Sequence, residues 1–309
     1  MRPPFPQAID STLRSTYVSC GRKYELMYMN HWKPQSESVH LVAGAAFARG
    51  IEITRRAFHE HGLRHDLAVA EGVIALIRTY GDFEPFPGQE NKHWLNMVRA
   101  LDEYFLTYGL ETDPVKPHLS GGKYAIEFTF ALPLSLDLLH PESGDPILYT
   151  GRFDMLGDYL DGVWAVDEKT TSYLGKTWYN NWPLRSQLTG YVWAARESGF
   201  DCAGALIRGV ALRKTGFDFA DSPQPRPDWM IQRWRQQVIR DVRRMIENWR
   251  EGYFDYALDN ACTDYGGCTF QEICTSPHPD RWLEANFSRR VWNPLTHKET
   301  EWVPVTNLN

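Results

Sequence analysis

Residues 147–171 read ILYTGRFDMLGDYLDGVWAVDEKTT. β-Branched and aromatic residues fill two runs, Ile147–Tyr159 and Val163–Thr171, as strands prefer. Between them lies Leu160-Asp161-Gly162, and Asp-Gly is a strong signal for a tight hairpin. Side chains alternate across a strand, so Asp167 and Lys169 share one face and Glu168 takes the other. A two-residue turn pairs even-numbered residues of the first strand with odd-numbered residues of the second. Asp154 then falls on the face of Asp167 and Lys169, and a slip of one residue would remove it. Two carboxylates beside a lysine have a chemical use. The carboxylates offer hard oxygen ligands to Mg2+ or Mn2+, ions that favour phosphate-bearing substrates. A cation there acidifies a bound water and neutralises phosphate charge. Lysine can position or deprotonate that water, or stabilise developing negative charge. The competing reading is an ordinary surface ion pair in a hairpin.

Outward from the hairpin, residues 10–30, 42–61, 66–81 and 91–108 have helical spacing. Pro114–Gly122 reads as a loop and residues 123–132 as a strand. Residues 184–198 return to helical spacing, and Ala203–Leu212 is a short apolar strand. A long helix, Arg226–Trp249, is introduced by the proline-rich Ser222-Pro223-Gln224-Pro225. The tail from Ala261 reads as irregular. Helices, a strand meander, a helix and a further strand make an α/β core with helices packed on a sheet.

Gln187 and Tyr191 stand four apart and share a helix face, with Arg185 just before them. An amide, a hydroxyl and a guanidinium can hydrogen-bond a phosphate, a base or a metal-bound water. In order and spacing, Asp154, then Asp167-Glu168-Lys169, then Gln187-x-x-x-Tyr191 resembles the PD-(D/E)XK nuclease superfamily, and within it the RecB-like branch. The resemblance implies a central four-stranded mixed sheet flanked by helices, with the nuclease core at residues 40–215. It implies a Mg2+- or Mn2+-dependent deoxyribonuclease acting on single-stranded DNA or duplex ends. Catalytic positions would be Asp154, Asp167, Lys169, Gln187 and Tyr191. Metal ligands would be Asp154, Asp167 and the backbone carbonyl of Glu168. Arg185, Gln187 and Tyr191 would orient the nucleic acid. The branch often carries Gly-x-x-x-His on the helix before the sheet. Here Gly44-Ala45-Ala46-Phe47-Ala48 has alanine in the histidine's place, and Glu52, one turn further on, is the candidate ligand.

Five cysteines, an odd number, argue against a disulfide framework. Cys262, Cys268 and Cys274 are evenly spaced, wider than the pairs of most zinc sites. Cys20 supplies a fourth thiolate. Four thiolates suit an iron–sulfur cluster and would also bind zinc; inert thiols are the third reading. One N-terminal and three C-terminal cysteines resemble the iron–sulfur nucleases of the RecB-like branch. By that resemblance Cys20, Cys262, Cys268 and Cys274 hold a 4Fe–4S cluster, with Zn2+ as the alternative. The cluster would join segments 1–39 and 216–309 into one helical, cysteine-bearing lobe, with Gly266 and Gly267 easing the turn between ligands. Cys202 reads as a small core residue.

The net charge of -6 argues against a uniformly basic nucleic-acid binder. From Arg208 to Arg250, though, ten basic residues face five acidic ones. Trp229, Trp234 and Trp249 lie along that stretch, either to stack on bases or to pack the helix. No long apolar run or secretion signal is present, so a cytoplasmic protein is expected. No phosphate-cradling glycine loop marks a motor. The rival to a nuclease is a catalytically weak or inactive DNA-binding or assembly subunit. Recombination or repair proteins would be its partners.

Overall fold

The structure, a computed structural model, describes residues 2–36, 38–263 and 267–301. In chain order the elements begin with β1 (Ala8–Asp10), α1 (Ser11–Ser19), α2 (Gly21–Tyr24), a π-helical turn (Glu25–Met29) and β2 (Trp32–Pro34). Three helices follow: α3 (Val39–His59), α4 (His65–Tyr80) and α5 (Trp94–Thr107). Then come β3 (Lys116–Pro117), β4 (Leu119–Ser120), β5 (Lys123–Tyr124), β6 (Ile126–Pro133), β7 (Leu148–Tyr159) and β8 (Gly162–Thr171). They are followed by α6 (Lys176–Asn180), α7 (Ser186–Glu197), β9 (Cys202–Leu212), β10 (Phe217–Pro225) and α8 (Asp228–Glu251). The last elements are α9 (Gln271–Thr275), α10 (Pro279–Asn286), β11 (Phe287–Asn293) and β12 (Lys298–Glu301).

The expected α/β class and mixed sheet are present, with more strands than the four expected. The sheet has seven strands in the order β1-β7-β8-β9-β10, with β3 and β6 also pairing β7. β7 and β8 are antiparallel, β8 and β9 parallel, β9 and β10 antiparallel. The hairpin turns on Leu160-Asp161, and Gly162 is already paired with Tyr159. Leu160 carries the left-handed backbone, at φ 49°. The turn is thus one residue earlier than Asp-Gly would place it. Even residues still face odd ones, so Asp154 keeps its face.

Two compact units divide the chain: Met1–Ser36, Thr129–Gly151 and Gln232–Asn309 form the first, Glu37–Phe128 and Arg152–Ile231 the second. In the second, the apolar stripes of α3, α4 and α5 bury Phe47, Ile51, Leu76, Leu101 and Phe105 with Val210 and Leu212 of β9. α3 and α4 cross closely at two glycines. A Cβ on Gly72 would stand 1.9 Å from Thr54 Oγ1 and 2.7 Å from the Gly50 carbonyl. No larger residue fits there without separating the helices.

Further sequence expectations need correction. Ser222-Pro223-Gln224-Pro225 is the end of strand β10, not a lead-in to a helix. β10 lies at the sheet's edge, where a missing N–H breaks no inner ladder. The described part of the tail also forms regular elements where irregular chain is expected. Pro279 opens α10 at a position where its absent N–H leaves no bond unmade. β11 pairs with both β2 and β12. Phe270 stacks on Phe287 with centroids 5.0 Å apart, and Leu26, Ile273 and Leu283 complete this first-unit core. Trp234 and Trp249 are buried, as packing residues are; Trp229 is exposed.

The most unusual burial lies within the second unit. Arg208 of β9 is fully buried, between its cross-strand neighbours Glu168 of β8 and Asp221 of β10. Its two terminal nitrogens bond Asp113 at 2.5 and 2.7 Å, and its plane sits 4.0 Å from the Tyr108 ring. Tyr108 donates to Asp221 at 2.8 Å. Glu168 in turn accepts from Arg55 at 2.5 Å and from Tyr104 at 3.1 Å. A buried charge is tolerated only with such partners. Replacing Arg208 with Met should therefore strip Asp113 of its arginine, remove the cation beside Asp221 and Glu168, and lower stability by about 3–5 kcal/mol in denaturant unfolding. A loss under 1 kcal/mol would show the ladder to be inessential.

His59, one turn beyond Arg55 on α3, adds a pH dependence. Burial, then the Arg55 and Lys116 charges, push its pKa down to about 4 from 6.5, against the weaker pull of Asp113 and Glu111. Between these values the unfolded chain binds more protons than the folded one, so stability rises with pH. It is fully present above pH 6.5 and falls as pH drops toward 4. His59→Phe should flatten this part of a stability–pH curve; an unchanged slope would exclude His59.

Candidate active site and thiol site

Strand pairing sets the geometry of the carboxylate site. The β7–β8 register runs only as far as Met155–Val166, whereas the β8–β9 register continues to Thr171–Ala211. Asp154 and Asp167 stand one residue past the last β7–β8 rung. There the Glu168 peptide N–H donates to Asp154 Oδ2 at 3.3 Å. Lys169 Nζ lies 2.6 Å from Asp167 Oδ2. Beyond this ion pair, no other donor meets the side-chain oxygens of Asp167, which is 1 % exposed, among the described residues. The expected convergence of Asp154, Asp167 and Lys169 is therefore present in the fold.

Charge is crowded here. Burial, then the Asp167 charge, holds the Asp154 carboxyl well above the usual carboxylate range. Burial also raises Asp167, partly offset by Lys169. Burial would lower Lys169, but Asp167 and Asp154 more than offset it and keep its pKa raised. Glu168 behaves differently, because its side chain leaves this face. Burial raises its pKa, but Arg55 and its neighbours pull it below the usual value.

The other predicted residues fall at graded removes. Arg185 is exposed at the N-cap of α7 and lies within electrostatic reach of Asp167. Gln187 donates from Nε2 to Tyr191 Oη at 2.9 Å. Tyr191 is buried against Phe153, ring centroids 5.2 Å apart. Glu52 is held by Arg49 and Arg56 on its own helix. Gly44 passes Thr170 of β8, where a Cβ would lie 4.0 Å from Oγ1, so the helix histidine's position, Ala48, is one turn past that crossing.

Sequence reading missed three residues. Glu127 of β6 lies within electrostatic reach of Asp154, Glu52 and Glu168. Burial, partly offset by Arg152, lifts its pKa to about 7. Arg55 and Arg208 are the others. Arg208 could have been found, since a lone arginine in the apolar run Ala203–Leu212 must have buried partners.

Four of the five cysteines occupy the first unit, and Cys202 lies in the second. Cys20 is an extended residue between α1 and α2, at φ -164° and ψ 117°. It interrupts the single helix expected over residues 10–30. Cys20, Cys262, Cys268 and Cys274 line one cavity with Tyr256 and Phe270, and all four are free and partly exposed. Cys268 N–H donates to the Cys262 carbonyl at 2.9 Å, and Gly267 takes φ 106°. Gly266 lies outside the described residues. Burial raises the Cys274 pKa, and the other three thiols add to the rise. Among the described residues, no three His, Cys, Asp or Glu side chains stand preassembled at metal-binding spacing. Cys202, as expected, is a buried core thiol of β9, pushed up to about 11 by burial. No described helix is long and apolar enough to cross a membrane.

Comparison with known proteins adds a family. The model of the PD-(D/E)XK nuclease superfamily matches residues 12–275. No curated protein matches. Among solved structures, the chain is similar to a Eubacterium rectale protein provisionally named an exonuclease: 14% identity and a TM-score of 0.45, covering 83% of this chain and 87% of that one. It is also similar to the protein SSO0001: 11% identity and a TM-score of 0.29, covering 69% and 87%.

Proposed function

The chain belongs to the PD-(D/E)XK nuclease superfamily, and from that premise we propose that it hydrolyses DNA phosphodiesters with Mg2+ or Mn2+, as an exonuclease or end-processing enzyme. One observation carries the metal dependence. Asp167 is buried, with Lys169 as its one side-chain donor among the described residues, beside a second carboxylate, Asp154. Two carboxyl groups crowded together in a buried site offer hard oxygens that suit a small divalent cation. Asp154, Asp167 and the Glu168 backbone carbonyl are the proposed ligands, and Glu52 would join them by leaving its arginines. The cation, when bound, supplies an acidified water and charge neutralisation. Lys169 orients that water and counters negative charge developing on the phosphate. Arg185, Gln187 and Tyr191 orient the substrate, single-stranded DNA or a duplex end.

A second reading has its own support. Ala48 stands where the branch often has histidine, and Glu52 is already paired. A DNA-binding or assembly subunit that keeps the fold would bind DNA without cutting it. Recombination or repair proteins are the partners proposed for either. With labelled oligonucleotides, the parent should cleave in Mg2+ or Mn2+, and Lys169→Ala should lose about 100- to 1,000-fold in rate. Equal rates in variant and parent would remove Lys169 from the mechanism. A parent that binds DNA but never cleaves, at any cation concentration, would favour the second reading.

For the thiols we propose a 4Fe–4S cluster on Cys20, Cys262, Cys268 and Cys274, as in the RecB-like iron–sulfur branch, with Zn2+ as the alternative. Four free thiols from distant segments facing one cavity support it. Protein purified without oxygen should be brown, contain iron and sulfide, and lose both in Cys274→Ser. A colourless protein carrying zinc would replace the cluster with the alternative.

A further inference from the structure

Arg152 stands two residues before Asp154 on β7, so strand alternation gives both the same side. Two residues of strand span about 6.6 Å. Arg152 is half exposed, while its partner Glu127 is 8% exposed, with Arg152 Nε 2.9 Å from Glu127 Oε2. The pair is close but not aligned as a hydrogen bond. The two terminal nitrogens of Arg152 donate no hydrogen bond to the protein among the described residues.

Glu127 is itself held unusually. Its backbone is left-handed at φ 45°, which is uncommon and costly for a residue other than glycine. Arg56 reaches across from α3 and donates from Nη2 to the carbonyls of Ile126 at 2.6 Å and Glu127 at 3.2 Å. The same α3 arginine bonds Glu52 and Glu60. Glu127 is thus fixed by its backbone and carries a buried carboxyl group within reach of two cations, Arg56 and, closest, Arg152. Strain of this kind persists where the surroundings impose it, and such positions cluster at functional sites. With Nε beside the buried Glu127 carboxyl and the side chain half exposed, the fork of terminal nitrogens is left to meet a ligand. That fork matches the oxygens of a phosphodiester.

We propose that Arg152 binds the nucleic-acid phosphate next to the scissile one, and that Glu127 is the positioning residue that presents it. The inference rests on the nuclease reading above and names a substrate contact for that site. A chain of net charge -6 has no general attraction for nucleic acid, so phosphate grip must come from placed cations such as this one.

The test measures binding of a fluorescent single-stranded oligonucleotide over a salt series, in the Lys169→Ala background with Mg2+ to suppress cleavage. Adding Arg152→Ala should reduce the slope of log affinity against log salt by about 0.7, the loss of one phosphate contact on a single strand. In the cleaving parent, Arg152→Ala should raise KM about tenfold with kcat within about threefold. Arg152→Lys should keep the salt slope and recover only part of KM, since charge stays and the fork goes. Glu127→Gln should keep the slope and raise KM about threefold, because the guanidinium remains but is no longer held. Denaturant midpoints would be matched for all variants. If the parent cleaves and Arg152→Ala leaves slope and KM unchanged, the inference is wrong and the nuclease reading stands. A fall in kcat with slope and KM intact overturns it as well, assigning the pair to chemistry. A parent that neither binds nor cleaves nucleic acid overturns both.

Discussion

Where β7 and β8 part, β8 loses one of its two neighbours. Beyond Val166 its register is with β9 alone, yet this is the stretch that carries Asp167, Glu168 and Lys169. A strand paired on one side can twist, and a twist of β8 would separate the carboxylates from the lysine. The opposite face prevents this. Glu168 is anchored by Arg55 and Tyr104, and Arg208 and Asp221 continue the charged row over β9 and β10. One residue of the triplet is fixed behind the sheet so that the residues on either side of it are fixed in front. The same parting leaves the Glu168 N–H available to Asp154 Oδ2, which ties the end of β7 to the site.

The alternation of side chains was the part of this site most legible in sequence. Parity survives small errors in the turn: placing it on Leu160-Asp161 instead of Asp161-Gly162 still leaves even residues opposite odd ones. The helices α3, α4 and α5 were legible for a similar reason, since periodicity averages over many residues. What sequence could not show was which charges meet. Arg55 and Glu168 lie 113 residues apart, and Glu127 and Arg152 are joined because β6 pairs with β7. Glu127 gave no local signal at all, because a left-handed glutamate is imposed by Arg56 from another element. β10 was hidden by its prolines, and the tail by its composition, which conceals a core built with Leu26 from the other end of the chain.

The four thiols lie within the first unit, on segments more than 200 residues apart in sequence (Cys20 at 20, Cys262 at 262). Closing so long a loop costs entropy that grows only slowly with length, so a group bridging those thiols would restrict the unfolded chain strongly. The neighbouring backbone is already brought together without it. Arg22 N–H donates to the Asp255 carbonyl at 2.9 Å, and a Cβ on Gly21 would stand 2.9 Å from that same oxygen.

β10 closes one side of the sheet with Pro223 and Pro225, both exposed. An outer strand normally offers a ladder of donors to any extended peptide that drifts against it. Two imino nitrogens in three residues interrupt that ladder at one end. Strand addition is therefore discouraged along Pro223–Pro225, which guards this end of the rim against sticky self-association while the protein is crowded among its own copies.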